Sequence, residues 1–198
     1  MIPMILASKS QARAALLSNA GLSFRTDTAQ IDERAAEQPL VQAGASPADI
    51  ASLLAQVKAS DVSDRNPGAL VIGADQTLGF GERRFNKPQN DEAARRQLLD
   101  LAGHSHQLHS AVACVKDGEI LWSHVSTATL TMRPLSPAQI GRYMARVGDQ
   151  VRTSVGCYQL EGLGVQLFEK IDGDYFTILG LPLLPLLGYL RQEQGLEF

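Results

Sequence analysis

Apolar positions along this chain follow two periods, and the periods alternate. An apolar run over residues 3–7 ends at Ala7, gives way to Ser8, Lys9, Ser10 and Gln11, and resumes at helical spacing around Arg13, Leu16 and Leu17. This predicts a strand feeding directly into a helix, with Ser8 and Gln11 as a capping box and Ala20-Gly21 at its close. In "SPADIASLLAQVKA", Ser46 is the predicted N-cap, Pro47 takes the first helical position, and Ile50, Leu53, Leu54 and Val57 form one stripe. "ALVIGAD" (69–75) is almost wholly apolar, the pattern of a strand buried on both faces. Residues 91–102 read as a helix ending before Gly103. The next long stretch, through Met132, reads as two strands around an Asp117-Gly118 turn. Ser136 caps another predicted helix, "GVQLFEKIDG" is a strand candidate, and the leucine-rich stretch from Pro182 is a buried helix.

Strands and helices therefore alternate, but a long hairpin interrupts them. A mixed α/β sheet is expected in place of a purely parallel one, in a single domain over 1–198. There is no internal repeat, no G-x-G-x-x-G and no Walker A sequence, which counts against dinucleotide oxidoreductases and P-loop NTPases.

Charge narrows the partners. A net charge of −3 supplies no global basic field for duplex nucleic acid, so any polyanion must be small and held locally. The longest apolar stretch, "FTILGLPLLPLLGYL", is short and is broken by Gly180, Pro182, Pro185 and Gly188, so no membrane span is expected. Cys114 and Cys157 lack both CxxC spacing and a disulfide-rich context. With no export signal at the start, a cytoplasmic location is expected.

Several residues stand out chemically. Lys9 and Arg13 share one helix face, and cations in a first turn oppose the helix dipole unless an anion docks there. Asp75 closes the buried run "VIGAD", where a carboxylate is costly unless paired, hydrated or metal-bound; it is either a cap or a metal ligand or base at the strand mouth. Asp32, Glu33 and Glu37 lie in "IDERAAE", read as an acidic loop. Lys58 sits at the edge of its helix's apolar stripe, where lysines often snorkel. Pro88 holds Lys87 extended. His104, His106 and His109 cluster in sequence, but His106 and His109 point to opposite faces of a strand and no Cys or carboxylate completes a zinc set.

Taken in order, these pieces resemble the Maf family of nucleoside-triphosphate pyrophosphatases. The family's Leu-Ala-Ser-x-Ser-Pro-Arg-Arg pattern is similar to "LASKSQAR". There follow Asp32-Glu33, Lys58-Ala59, "IGAD", Lys87-Pro88, "YQLEGLG" and "GDYFTILGLPL". The resemblance covers nearly the whole chain. It implies hydrolysis between the α- and β-phosphates, a divalent cation (Mg²⁺ or Mn²⁺), and a fold like the inosine-triphosphate pyrophosphatases: an elongated mixed β-sheet flanked by helices, with two lobes and a central cleft, often dimeric. It further implies that Ser8 and Arg13 bind phosphate and that Lys58 and Lys87 neutralise the triphosphate. Asp75 would hold the metal or activate water, with Glu33 as its acidic partner. Gln11 and Ala12 stand where the family has Pro-Arg, so one of two adjacent arginines is missing. Lys9 can replace its charge but not its bidentate fork.

Two positions bear on the base. Asp75-Gln76 and Leu160-Glu161-Gly162 stand where members preferring thymidine and uridine triphosphates tend to carry Asp-Thr and a Gln. The pairing resembles the 7-methyl-GTP branch. A carboxylate only accepts, which suits the two adjacent donors on guanine's Watson–Crick edge, whereas uracil's flanking carbonyls repel it. A cationic N7-methylated ring adds attraction to Glu161. The other expectations are a pyrimidine (dTTP/UTP) pyrophosphatase, and a nucleotide-binding regulator of cell division without turnover.

Overall fold

The computed structural model describes residues 3–197. In chain order these form β1 (Met4–Ala7), α1 (Gln11–Asn19), β2 (Arg25–Thr26), α2 (Glu33–Gln42), α3 (Pro47–Asp64), β3 (Leu70–Phe80), β4 (Arg83–Phe85) and α4 (Asp91–Leu101). Then come β5 (Ser105–Lys116), β6 (Glu119–Met132), α5 (Pro137–Val147), β7 (Phe168–Asp172), α6 (Tyr175–Ile178) and α7 (Leu183–Gln194). The strands form one seven-stranded mixed sheet in the order β2-β1-β3-β5-β6-β7, with β4 paired to β3. The mixed α/β expectation holds. β1 is parallel to β2 and β3, whereas β3–β4 and β6–β7 are antiparallel. Among the described residues no helix is long and apolar enough to cross a membrane.

The chain divides into two compact units. One comprises the residues up to Gln76, His109–Ser126 and the residues from Gly180; the other comprises Thr77–Leu108 and Thr127–Leu179. In the first, Ile5, Ala7, Val62, Val71 and Val115 form one cluster, and Ala51 and Ala55 of α3 meet Ala111 and Ala113 of β5 in another. α3 runs from a full capping box at Ser46 and Asp49. It lies so close to β3 that a Cβ on Gly73 would stand 2.1 Å from the Ala55 carbonyl oxygen and 2.7 Å from Ala59 Cβ. Small residues on both elements permit that approach. The β5–β6 hairpin turns through Asp117 and Gly118, both at positive φ, as its strand twist requires.

The second unit is built on Leu78, Leu98, Leu108, Leu130, Met132 and Ile140. Burying side chains of this size contributes roughly 1.5–3 kcal/mol each. Within this core His106 Nε2 lies 2.7 Å from Tyr158 Oη, and the tyrosine's ring also packs edge-on to Phe168.

Three local expectations are corrected. Ser10, not Ser8, caps α1, its Oγ accepting from Arg13 N at 3.3 Å, and Gln11 opens the helix instead of closing a capping box. Ser8 is thereby left to a different partner. Residues 32–37 are not a loop: Asp32 caps α2 by accepting from the amides of Arg34 and Ala35, and Glu33 begins the helix. Only the second half of "GVQLFEKIDG" is strand, since Leu163–Leu167 is a 3₁₀ turn.

Candidate active site

The parallel pairing of β1 with β3 sets Ala7 opposite Gly73. The next residues, Ser8 and Ala74, therefore emerge together at the carboxyl end of β1, where ligands of open α/β sheets commonly bind. Arg13, from the first turn of α1, bridges them. Its Nη1 donates to Ala74 O at 2.8 Å and to Ser8 Oγ at 3.2 Å, while Nε donates to Gly180 O at 2.7 Å. Gly180 adopts φ +97°, a conformation that glycine takes without strain. The guanidinium is thus pinned by main-chain carbonyls from two distant segments.

Asp75 follows directly on Ala74. Its Oδ1 is 2.6 Å from Lys58 Nζ, and the same ammonium is 3.0 Å from Glu33 Oε2. The side chains of Lys58 and Asp75 are each 12% exposed and that of Glu33 is 53% exposed, so the triad runs from interior to solvent. Lys58 reaches Asp75 because α3 lies against Gly73, two residues earlier.

Electrostatics follow from this packing. Burial raises the Asp75 pKa above the ordinary aspartate value of 3.8, against the opposing pull of Lys58 and then Arg13. Burial likewise lowers the Arg13 pKa, although the charges of Asp75 and Glu33 work to raise it. Two carboxylates and two cations balance, and the site is electrically neutral.

The structure brings together Ser8, Arg13, Glu33, Lys58 and Asp75. Lys9 is exposed in the turn before α1. Gln76 Nε2 donates to Ser110 Oγ at 2.9 Å. Lys87 and Glu161 belong to the second unit: Lys87 is exposed after β4, next to buried Pro88, and Glu161 is exposed ahead of the 3₁₀ turn at Leu163–Leu167.

Sequence reasoning passed over several supporting groups. Arg65 bonds Asp27 (3.0 Å), Asp61 (2.9 Å) and the Thr28 carbonyl (3.1 Å), and Asp61 also accepts from Gln30 N. This clamps the segment that delivers Asp32 and Glu33. The spacing of Asp61 and Arg65, one helical turn apart, was the available signal.

The carboxylates that could hold a metal are Asp75 and Glu33, both now bound to Lys58 Nζ. Among the described residues no group of three or more His, Cys, Asp or Glu is placed to hold an ion. Two carboxylates suit Mg²⁺, which dehydrates reluctantly and completes its shell with water and substrate phosphates.

These features define a mixed α/β protein in which the Ser8–Arg13 turn after β1 lies beside a Lys58-bridged carboxylate pair, Asp75 inside β3 and Glu33 at the start of α2. A family model described as "Maf-like protein" matches residues 3–193, and the chain belongs to the Maf family. It is 59% identical over 196 residues to the 7-methyl-GTP pyrophosphatase of Brucella abortus biovar 1 (strain 9-941), covering 99% of this chain and 98% of that one. It is 57% identical to the 7-methyl-GTP pyrophosphatase of Mesorhizobium japonicum, covering 95% and 94%. A nucleoside triphosphate pyrophosphatase of Bradyrhizobium diazoefficiens is also 57% identical, covering 97% and 94%. A dITP/XTP pyrophosphatase structure from Mycobacterium abscessus aligns over 96% and 97% at 17% identity, with a TM-score of 0.45, too slight a likeness to argue from.

Proposed function

We propose that this protein hydrolyses a nucleoside triphosphate at its α,β-anhydride, giving the nucleoside monophosphate and pyrophosphate. The observation that carries this reading is the ammonium of Lys58 held between Asp75 and Glu33 beside the turn that carries Ser8 and Arg13. Transfer at phosphorus needs positioning and charge neutralisation more than covalent chemistry, and those are what this cluster supplies.

In this reading water adds at one phosphorus of the anhydride, the bridging P–O bond breaks, and the proton passes to the Asp75 carboxylate. Lys58 and Lys9, both of the first unit, neutralise the triphosphate. Ser8, fixed by Arg13, offers its hydroxyl to a phosphate oxygen. Asp75 and Glu33 would hold the divalent cation, which when bound supplies charge neutralisation and a more acidic water.

For the base we infer guanine in its N7-methylated form. The relatives' names support this, as does the chemistry of Glu161, an exposed carboxylate that only accepts hydrogen bonds. The cytoplasm is the compartment we assign, consistent with two buried free cysteines.

Asp75→Asn tests the core of the reading. Pyrophosphate release with Mg²⁺ or Mn²⁺ is expected to fall by about 10²–10⁴-fold. Full activity in that variant, or release of single phosphates by the wild type, overturns it. For the base, a panel of 7-methyl-GTP, GTP, UTP, CTP and dTTP with Glu161→Gln should show the preference moving toward uracil. An unchanged ranking removes the role given to Glu161.

A further inference from the structure

Lys58 occupies the place between the only two carboxylates that the reading above assigns to a cation. Its Nζ stands 2.6 Å from Asp75 and 3.0 Å from Glu33, so anything that takes oxygens from both must displace that ammonium. The two cations of the cluster are not equally free to adjust. Arg13 is tied by three hydrogen bonds to Gly180 O, Ala74 O and Ser8 Oγ. Lys58 has a flexible four-carbon stem with a freely turning ammonium, and one of its partners, Glu33, lies half in solvent.

We propose that Lys58 is an interlock between cation and nucleotide. In the nucleotide-free protein its ammonium fills the space between Asp75 and Glu33; it leaves that space for the triphosphate, and the divalent cation binds tightly only together with the nucleotide. This rests on the pyrophosphatase reading and adds a binding order to it.

Charge counting supports it. The resting cluster sums to zero: Asp75 and Glu33 against Lys58 and Arg13. A divalent cation alone leaves an excess of two positive charges in a partly buried site. A triphosphate alone, with about four negative charges at neutral pH, leaves a large negative excess. Adding both leaves a remainder of about two negative charges, with Lys58 transferred from carboxylates to phosphate. Each ligand therefore removes the obstacle to the other, and the coupling must be reciprocal.

The test is a titration of Mn²⁺ into nucleotide-free protein, following free Mn²⁺ by electron paramagnetic resonance. It is repeated with a hydrolysis-resistant α,β-methylene analogue of GTP. Lys58→Met should bind Mn²⁺ at least tenfold more tightly than the wild type without nucleotide. The analogue should tighten Mn²⁺ binding at least tenfold in the wild type and much less in Lys58→Met. Where Lys58→Met does not fold, Lys58→Gln, which keeps a donor toward Asp75 without the charge, takes its place with the same expectation. Mn²⁺ affinity unchanged or weakened in the uncharged variant, or unaffected by the analogue in the wild type, overturns the interlock. Pyrophosphate release by the wild type separates the two ideas. An active enzyme that fails the Mn²⁺ test loses the interlock alone, whereas absence of pyrophosphate release removes the reading beneath it.

Discussion

Asp75 is the residue on which burial and charge compete most directly. Its carboxyl is raised above the ordinary aspartate value because burial outweighs Lys58 and Arg13. For stability, a raised acid contributes fully below the unfolded-state pKa and its contribution is lost as pH rises through the folded value. For catalysis the direction reverses, because the carboxylate form is the one that accepts a proton. The acid limb of kcat/KM should therefore lie above the ordinary 3.8. Removing the Lys58 charge, which pulls the value down, should push that limb further up. A pH–rate profile of the wild type against Lys58→Gln checks both statements, and a limb at or below the ordinary aspartate range contradicts them. The identities of Asp75, Lys58, Glu33, Ser8 and Arg13 were legible in the sequence as residue types in order. The partners of Arg13 were not, because the carbonyls of Ala74 and Gly180 carry no side-chain signature.

At the scale of elements, the contact of α3 with β3 decides whether Lys58 can reach Asp75. The apolar spacing picks out Ile50, Leu53, Leu54 and Val57, yet Leu53 and Val57 are only half-buried while Ala51, Ala55 and Ala59 are fully inside. A stripe of large residues marks a helix, but a close approach selects small ones, and Gly73 among its β-branched neighbours was the sign of it. Gly73→Ala would place a methyl 2.1 Å from the Ala55 carbonyl oxygen, which backbone cannot yield cheaply. A loss on the order of 3 kcal/mol is expected. That corresponds to a fall in Tm of about 6–12 °C for a chain of this size. The displaced helix should also carry Lys58 away from Asp75, so activity should drop in the fraction still folded. Thermal unfolding and assay together check it; an unshifted Tm would mean α3 does not pack as described. α2 escaped the sequence reading for a related reason. Pro39 sits inside it and none of its residues is buried, so no apolar stripe announces a helix, although Glu33–Gln38 are all good helix formers and Asp32 caps it.

For the whole molecule, the strand–helix alternation broken by one long hairpin was enough to read a mixed sheet, because a two-residue turn at Asp117-Gly118 permits only antiparallel neighbours. The family resemblance implied two lobes, but the boundary between the two units was not readable. β3, β5 and β6 each contribute residues to both, and no linker marks a boundary. Net charge of −3 leaves recognition of a triphosphate to local cations, so binding energy must appear as stabilisation of the folded state when the full set of ligands is present. If cation and nucleotide bind only together, neither alone should raise Tm much. Mn²⁺ with the α,β-methylene analogue, each about 100-fold above its dissociation constant, should stabilise by about 2.7 kcal/mol. The expected rise is about 5–11 °C in a scanning fluorimetry experiment. The same ligands given to Lys58→Gln should reach much of their effect with Mn²⁺ alone, since the ammonium no longer holds the carboxylates. A wild-type protein stabilised as much by Mn²⁺ alone as by the pair would show that the two carboxylates are open to the cation from the start, and that Lys58 holds nothing in reserve.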